Sequence, residues 1–150
     1  MKKTYVLLIT LIFIFLGCGG KDKVKPSADS LLATETINVI DSIKAAYQEK
    51  ERESLQNHLA PDIAESTLKE LFFEKAELSF APRMVRIDDS TVMVNLNWQG
   101  TWVIGGSDIK NRGVAVFVFV GYDSTLREGS PVKLIRIDGD NPFQTPSFLK

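Results

Sequence analysis

The sequence predicts an α+β domain in which N-terminal helices pack on a curved antiparallel sheet of about four strands. Three observations predict it. Between residues 29 and 75 apolar side chains recur at three- and four-residue steps, the period of a helix. Beyond residue 75 the period falls to two, the period of a strand. All the helical pattern precedes all the strand pattern, which is the order of a segregated α+β fold and not of alternating βαβ units. The length, 150 residues, suits one domain.

Taken in order, the first helix begins near Asp29, with Ser27, Asp29 and Ser30 as candidate caps. Ile37, Ile40, Ile43 and Tyr47 draw one apolar stripe along it. The stripe fades through Glu49-Lys50-Glu51-Arg52-Glu53, a run of mixed sign that reads as a solvated face. It resumes at Leu55 and Leu59 as a short second helix over 52–59. Pro61 opens a third helix, since the amide hydrogen it lacks would be unpaired in a first turn anyway. Ile63, Thr67, Leu68, Leu71 and Phe72 give that helix an apolar face to about Lys75.

The first strand runs from Leu78 to about Ile87. Pro82 cannot donate to a ladder, so this strand lies at an edge or carries a bulge. Asp88-Asp89-Ser90 turns the chain. The second strand, Thr91 to Val103, puts Val92, Val94, Leu96 and Trp98 on one face and Met93, Asn95, Asn97 and Gln99 on the other. A loop opens at Gly105-Gly106-Ser107-Asp108. The third strand, Val114 to Tyr122, is apolar on both faces, and the fourth spans Val132 to Ile137. Gly139-Asp140-Asn141-Pro142 ends the sheet, and residues 143–150 read as a C-terminal tail.

The N-terminus belongs to no domain. Lys2 and Lys3 precede an uncharged apolar run, Tyr5 to Leu16. That run is shorter than the roughly 20 residues of a membrane-spanning helix. It matches the about 7–15 residues of a signal-peptide core. Phe15-Leu16-Gly17-Cys18 then resembles the bacterial lipobox, with Phe15 where leucine is usual. The resemblance implies that residues 1–17 are a signal peptide removed by the lipoprotein signal peptidase, and that Cys18 carries lipid. Lipid attachment makes the chain anchored to a membrane rather than spanning it, and stable anchoring takes two or more acyl chains. Gly19, in place of the aspartate that retains enterobacterial lipoproteins at the inner membrane, favours the periplasmic face of the outer membrane. Residues 18–28 form the lipidated cysteine and a tether rich in Gly, Lys and Pro. Ten of its residues reach at most roughly 35 Å. The folded domain occupies residues 29–142.

Composition excludes several functions. Cys18 is the only cysteine and His58 the only histidine. The lipidated cysteine leaves none for disulfides or thiolate catalysis, and no transition-metal site or cofactor is expected. Lys and Arg number 18 against 19 Asp and Glu, and loss of Lys2 and Lys3 makes the remainder more acidic. No polybasic block remains, so no nucleic-acid partner is expected. No P-loop, dinucleotide-binding glycine motif, HExxH or nucleophile elbow occurs.

The element order resembles the nuclear transport factor 2-like superfamily, the cone-shaped fold also called SnoaL-like or cystatin-like. Ile37, Ile40, Ile43 and Ala46-Tyr47, the charged run from Lys50, Leu59-Ala60-Pro61-Asp62, and Trp98-x-Gly100-x-Trp102 carry the resemblance over residues 33–140. The superfamily holds enzymes, ligand binders and interaction modules, so fold alone does not choose among them.

Candidate sites are few. The resemblance makes His58 and Asp62 weak catalytic candidates, because some enzymes of the superfamily use Asp/His pairs inside the cone. A solvated histidine at a helix end explains His58 as well. Tyr47, Trp98 and Trp102 are candidate walls of a pocket for a small apolar ligand, or equally core. The doubly apolar third strand, with Val114, Val116, Phe117, Val118 and Phe119, is a candidate interface, since a strand covered on one face only should alternate. In the superfamily a second sheet in a homodimer usually supplies the cover, and another envelope protein would serve. The first reading is therefore a non-enzymatic, membrane-anchored interaction or self-association module. The alternatives are a small-molecule binder and an acid–base enzyme.

Overall fold

The computed structural model describes residues 26–88, 91–120 and 132–146. Three helices, α1 (Ala28–Glu49), α2 (Arg52–His58) and α3 (Pro61–Lys69), precede four strands, β1 (Lys75–Asp88), β2 (Thr91–Ile104), β3 (Ser107–Val120) and β4 (Lys133–Gly139). The strands form one antiparallel sheet in sequential order, β1-β2-β3-β4. The expected signal peptide (residues 1–17), Cys18 and residues 19–25 of the expected tether, the turn residues Asp89 and Ser90, and residues 121–131 and 147–150 lie outside the described residues. Among the described residues no helix is long and apolar enough to cross a membrane.

Local chemistry sets each boundary. Ser27 caps α1, its hydroxyl accepting from the Ser30 amide at 3.2 Å. α1 ends where Lys50 turns left-handed, at φ 58°. A lysine tolerates this strained position because its ammonium reaches across to the Phe73 carbonyl and lies over the Phe73 ring, 4.8 Å from the centroid. The junction between α2 and α3 is tied to the edge of β4, with the Ala60 amide donating to the Leu134 carbonyl at 2.8 Å. α3 ends at Lys69, before Leu71 and Phe72, so the expected helical face to Lys75 is cut short. Beyond that point the helical period no longer applies. Phe72 is 59% exposed, while its neighbour Phe73 is buried.

Pro82 and the residue after it disturb β1 as its sequence predicts. Pro82 pairs with Leu96 and Met84 with Asn95, leaving Arg83 as the extra residue of a bulge on an edge strand. The insertion flips the alternation, since the side-chain period is two. Before the bulge Ala76 and Leu78 face the helices; after it Val85 and Ile87 do, and Met84 turns outward.

β3 begins at Ser107, seven residues earlier than its apolar run. Gly105 and Gly106 both hold positive φ, 58° and 74°, which is the two-residue hairpin that joins Ile104 directly to Ser107. The segment Ser107–Gly113 looked like loop because it lies beyond the reach of β4, whose pairing begins at Ala115. Only Ile109 of this segment is buried, and Lys110, Asn111 and Arg112 make a polar edge that discourages further strand pairing.

Candidate functional site

The face of the sheet toward the helices carries a packed core, with a shallow dent of about 280 Å³ at one end among Trp98, Asn111, Asp140 and Thr145. Val92, Val94, Leu96 and Trp98 of β2, with Phe117 and Phe119 of β3, meet Ile40, Ile43 and Tyr47 of α1 in a single buried cluster. Gly100 makes room for the Trp102 ring: a Cβ there would lie 2.4 Å from the indole and 2.7 Å from the Leu78 side chain. Burial of these aromatics removes a large apolar area from water and dominates the core.

Phe143 completes that core. The sequence places it at the head of a tail, yet it is fully buried, 5.2 Å from the Tyr47 ring and 5.9 Å from Phe117 between centroids. The chain reaches it by reversing at Gly139, where φ is 88°. Asp140 then locks the reversal: its amide donates to the Val114 carbonyl, its carboxylate accepts from the Val114 amide, and its carbonyl accepts from Trp98 Nε1 at 2.8 Å. Thr145 fastens the segment to the end of α3, its amide donating to the Glu70 carboxylate and its hydroxyl to the Glu70 carbonyl. A glycine-proline-rich ending carries no periodic signal, so this contact was not legible in the sequence.

The three candidate pocket walls are thus core residues with their polar atoms engaged. Trp102 Nε1 donates to the Tyr47 hydroxyl at 3.1 Å, and that hydroxyl donates in turn to the Phe143 carbonyl at 3.5 Å. Tyr47 and Trp102 are inaccessible to solvent and Trp98 nearly so. Loss of water pushes the Tyr47 phenol above its ordinary value, against the hydrogen bond from Trp102 that lowers it.

The histidine and aspartate are not brought together in a cavity. His58 Nδ1 lies 2.7 Å from the Ser54 carbonyl one turn back on α2. Its ring lines a surface dent shared with Glu51, Arg52 and Asn57, away from the sheet. Asp62 is exposed in the first turn of α3, where a carboxylate complements the helix dipole. This arrangement supplies no shared substrate position between an acid and a base.

The proposed interface strand divides by alternation. Phe117 and Phe119 point to the helices and belong to the core, so they are not available to a partner. Val118 is also buried, on the opposite face. Val114 is 52% exposed and Val116 half-buried on that opposite face. The strand is apolar on both sides, but only these two valines of the five remain open.

The outer face has its own order, set by register. One row across the strands is Glu77, Thr101 and Lys110; the next is Ser79, Gln99 and Arg112; the next is Ala81, Asn97 and Val114. Met84, Asn95 and Val116 follow. Two shallow concavities of about 770 and 520 Å³ lie over the first three rows and share Ser79, Gln99 and Arg112. They form one trough whose polar end passes into an apolar end. Its parts come from three strands, so no linear motif in the sequence announces it.

No family model and no curated protein matches this sequence. The structure is similar to that of an NTF2-like superfamily protein from Salmonella enterica subsp. enterica serovar Typhimurium str. LT2. The TM-score is 0.62 at 13% identity, covering 81% of this chain and 98% of that one. TsrD from Streptomyces laurentii is similar at a TM-score of 0.44 and 14% identity, over 70% of this chain and 89% of its own. An M. tuberculosis LEH-like epoxide hydrolase is similar at 0.40 and 15%, over 60% and 71%. The last two similarities are too loose to carry an argument. The first concerns fold and nothing further.

Proposed function

From an NTF2-like fold with a filled cone, we propose that the chain is a lipoprotein held on the periplasmic face of the outer membrane by lipid on Cys18, and that its domain is a non-enzymatic binding module. The working surface is the outer face of the sheet, where the module meets a second copy of itself or another envelope protein. One observation carries this reading. The helix-facing side is closed by Tyr47, Trp102 and Phe143, whereas the outer side keeps Met84, Val114 and Val120 each at least 44% exposed. Apolar side chains gathered on one face of a sheet are the ordinary signature of a surface that is covered in use. The lipobox at Cys18 supplies the address, and the tether sets the reach.

Two measurements in intact cells test the reading. Metabolic labelling with an alkyne fatty acid should mark the wild-type chain and not Cys18→Ala. A photo-crosslinking amino acid in place of Val116 should trap either a species of twice the mass or one discrete envelope protein. The same probe in place of Asp62, on the far side of the domain, serves as background. Crosslinks from Val116 no stronger than from position 62 would end the reading of this face as a protein-binding surface.

A further inference from the structure

We infer that the outer-face trough binds a small anionic amphiphile, its phosphate or carboxylate taken by Lys110 and Arg112 and its apolar body laid over Val114 and Val116. The inference rests on the outer face being the working surface and adds the class of ligand.

Three cations surround the trough, although the whole chain is net negative. Lys110 and Arg112 come from β3. Arg83 enters from the opposite edge, because the bulge re-aims it across the outer face. The Asn97 amide, turned with its oxygen toward that guanidinium, accepts from Arg83 Nη2 at 3.0 Å and from Nε at 3.3 Å. Three carboxylates of the same face border this group, Glu77 and Asp108 at the cationic end and Asp138 beside Val116, and Asp138 is paired with Arg136 at 3.0 Å. Glu77, at the end of the trough, is already paired with Lys75 at 2.6 Å. Asp140, behind Arg112, accepts from the Val114 amide. Among the described residues neither Lys110 nor Arg112 has an ion-pair partner.

A planar guanidinium beside an ammonium suits an oxyanion that takes several donors at once. Asn97 and Gln99 on the floor, with the Ser79 hydroxyl, add neutral donors and acceptors for the atoms next to the charge. The volume lies in the range of small-molecule sites, about 300–1,000 Å³. Along the strands the character then changes. From Arg112 to Val116 the β3 side of the face turns from cationic to apolar in roughly 13 Å, with Asn95 and the Asp138–Arg136 pair flanking Val116. An inorganic anion would use only one end of such a surface, and an amphiphile uses both.

The test uses the full chain in nonionic micelles, with calorimetric titration of hexyl phosphate, inorganic phosphate and hexanol. Hexyl phosphate should bind about tenfold or more tightly than inorganic phosphate, and hexanol should not bind. Lys110→Glu with Arg112→Glu should weaken hexyl phosphate at least tenfold by roughly the worth of a charge-assisted bond, while Lys69→Glu on α3 changes nothing. Both reversed side chains are exposed, so an unchanged melting temperature verifies the fold. Val114→Asp should abolish the preference for hexyl over inorganic phosphate. Equal affinity for the two phosphates, or binding that survives the double reversal, overturns the inference. If hexyl phosphate fails to bind while Val116 still crosslinks a partner, the ligand class falls and the binding face stands. If it binds while Val116 traps nothing, the inference stands and the protein partner falls.

Discussion

Phe143→Ala separates a tail from a core in one substitution. The ring is fully buried and touches the rings of Tyr47, Phe80 and Phe117 at centroid distances of 5.2, 6.1 and 5.9 Å. Removing a buried phenylalanine costs about 3–5 kcal/mol, from lost transfer free energy and the cavity left behind. The Phe143 carbonyl remains, so the Tyr47 hydroxyl keeps its acceptor and the effect reports packing. A domain of this size has about 5–15 kcal/mol of stability in all. The substitution therefore takes a large fraction of the total. With a urea dependence of about 2 kcal/mol/M, the unfolding midpoint should fall by about 2 M. Urea titration followed by far-ultraviolet circular dichroism measures it. Phe72→Ala is the control, because that ring is 59% exposed and its loss should cost within about 0.5 kcal/mol. A midpoint for Phe143→Ala as close to wild type as that of Phe72→Ala would refute the argument.

Four further outcomes follow from the core and its boundaries. Gly100→Ala should lose about 1–3 kcal/mol in the same titration, because the new methyl must displace the Trp102 ring 2.4 Å away. Tyr47→Phe should lose about 1–3 kcal/mol at neutral pH by leaving the buried Trp102 Nε1 without its acceptor. The same variant should change the alkaline limb. Because burial raises the Tyr47 pKa in the folded state, stability is whole below the unfolded value near 10 and drains as pH climbs toward the folded value, a slope that Tyr47→Phe removes. Lys50→Ala and Lys50→Gly both delete the ammonium over Phe73, but only glycine is at ease at φ 58°. The glycine variant should thus be about 1 kcal/mol the more stable of the two in thermal unfolding.

The legible parts of the fold were those with a local cause. The stripe Ile40, Ile43 and Tyr47 found α1, Pro61 found the start of α3, and Pro82 foretold a bulged edge strand. The alternation of Val92, Val94, Leu96 and Trp98 found the inner face of β2. What escaped were features with a distant cause. Ser107–Gly113 lacks an apolar alternation because little lies over it, yet pairing with β2 makes it strand. Phe143 is core because of residues far up the chain. Phe117 and Phe119 looked like interface because a strand with two apolar faces does not say which face the helices take. The site was legible least of all. Lys110 and Arg112 lie on the part of β3 that β4 does not reach, Asn97 and Gln99 on the interior strand β2, and only the register places them around one trough with Arg83.

The Tyr47 hydroxyl meets the carbonyl of a residue 96 positions later. Synthesis proceeds at about 5–20 residues per second. A nascent chain therefore holds α1, the hairpin of β2 and β3 and most of its aromatic surface for seconds before the last ring arrives to close them. Until Phe143 is made, the rings of Tyr47, Phe80 and Phe117 lack the neighbour that closes their cluster. Whatever receives the chain during that interval meets a stretch of open apolar surface, and the domain should become resistant to proteolysis only after residue 143 has been made.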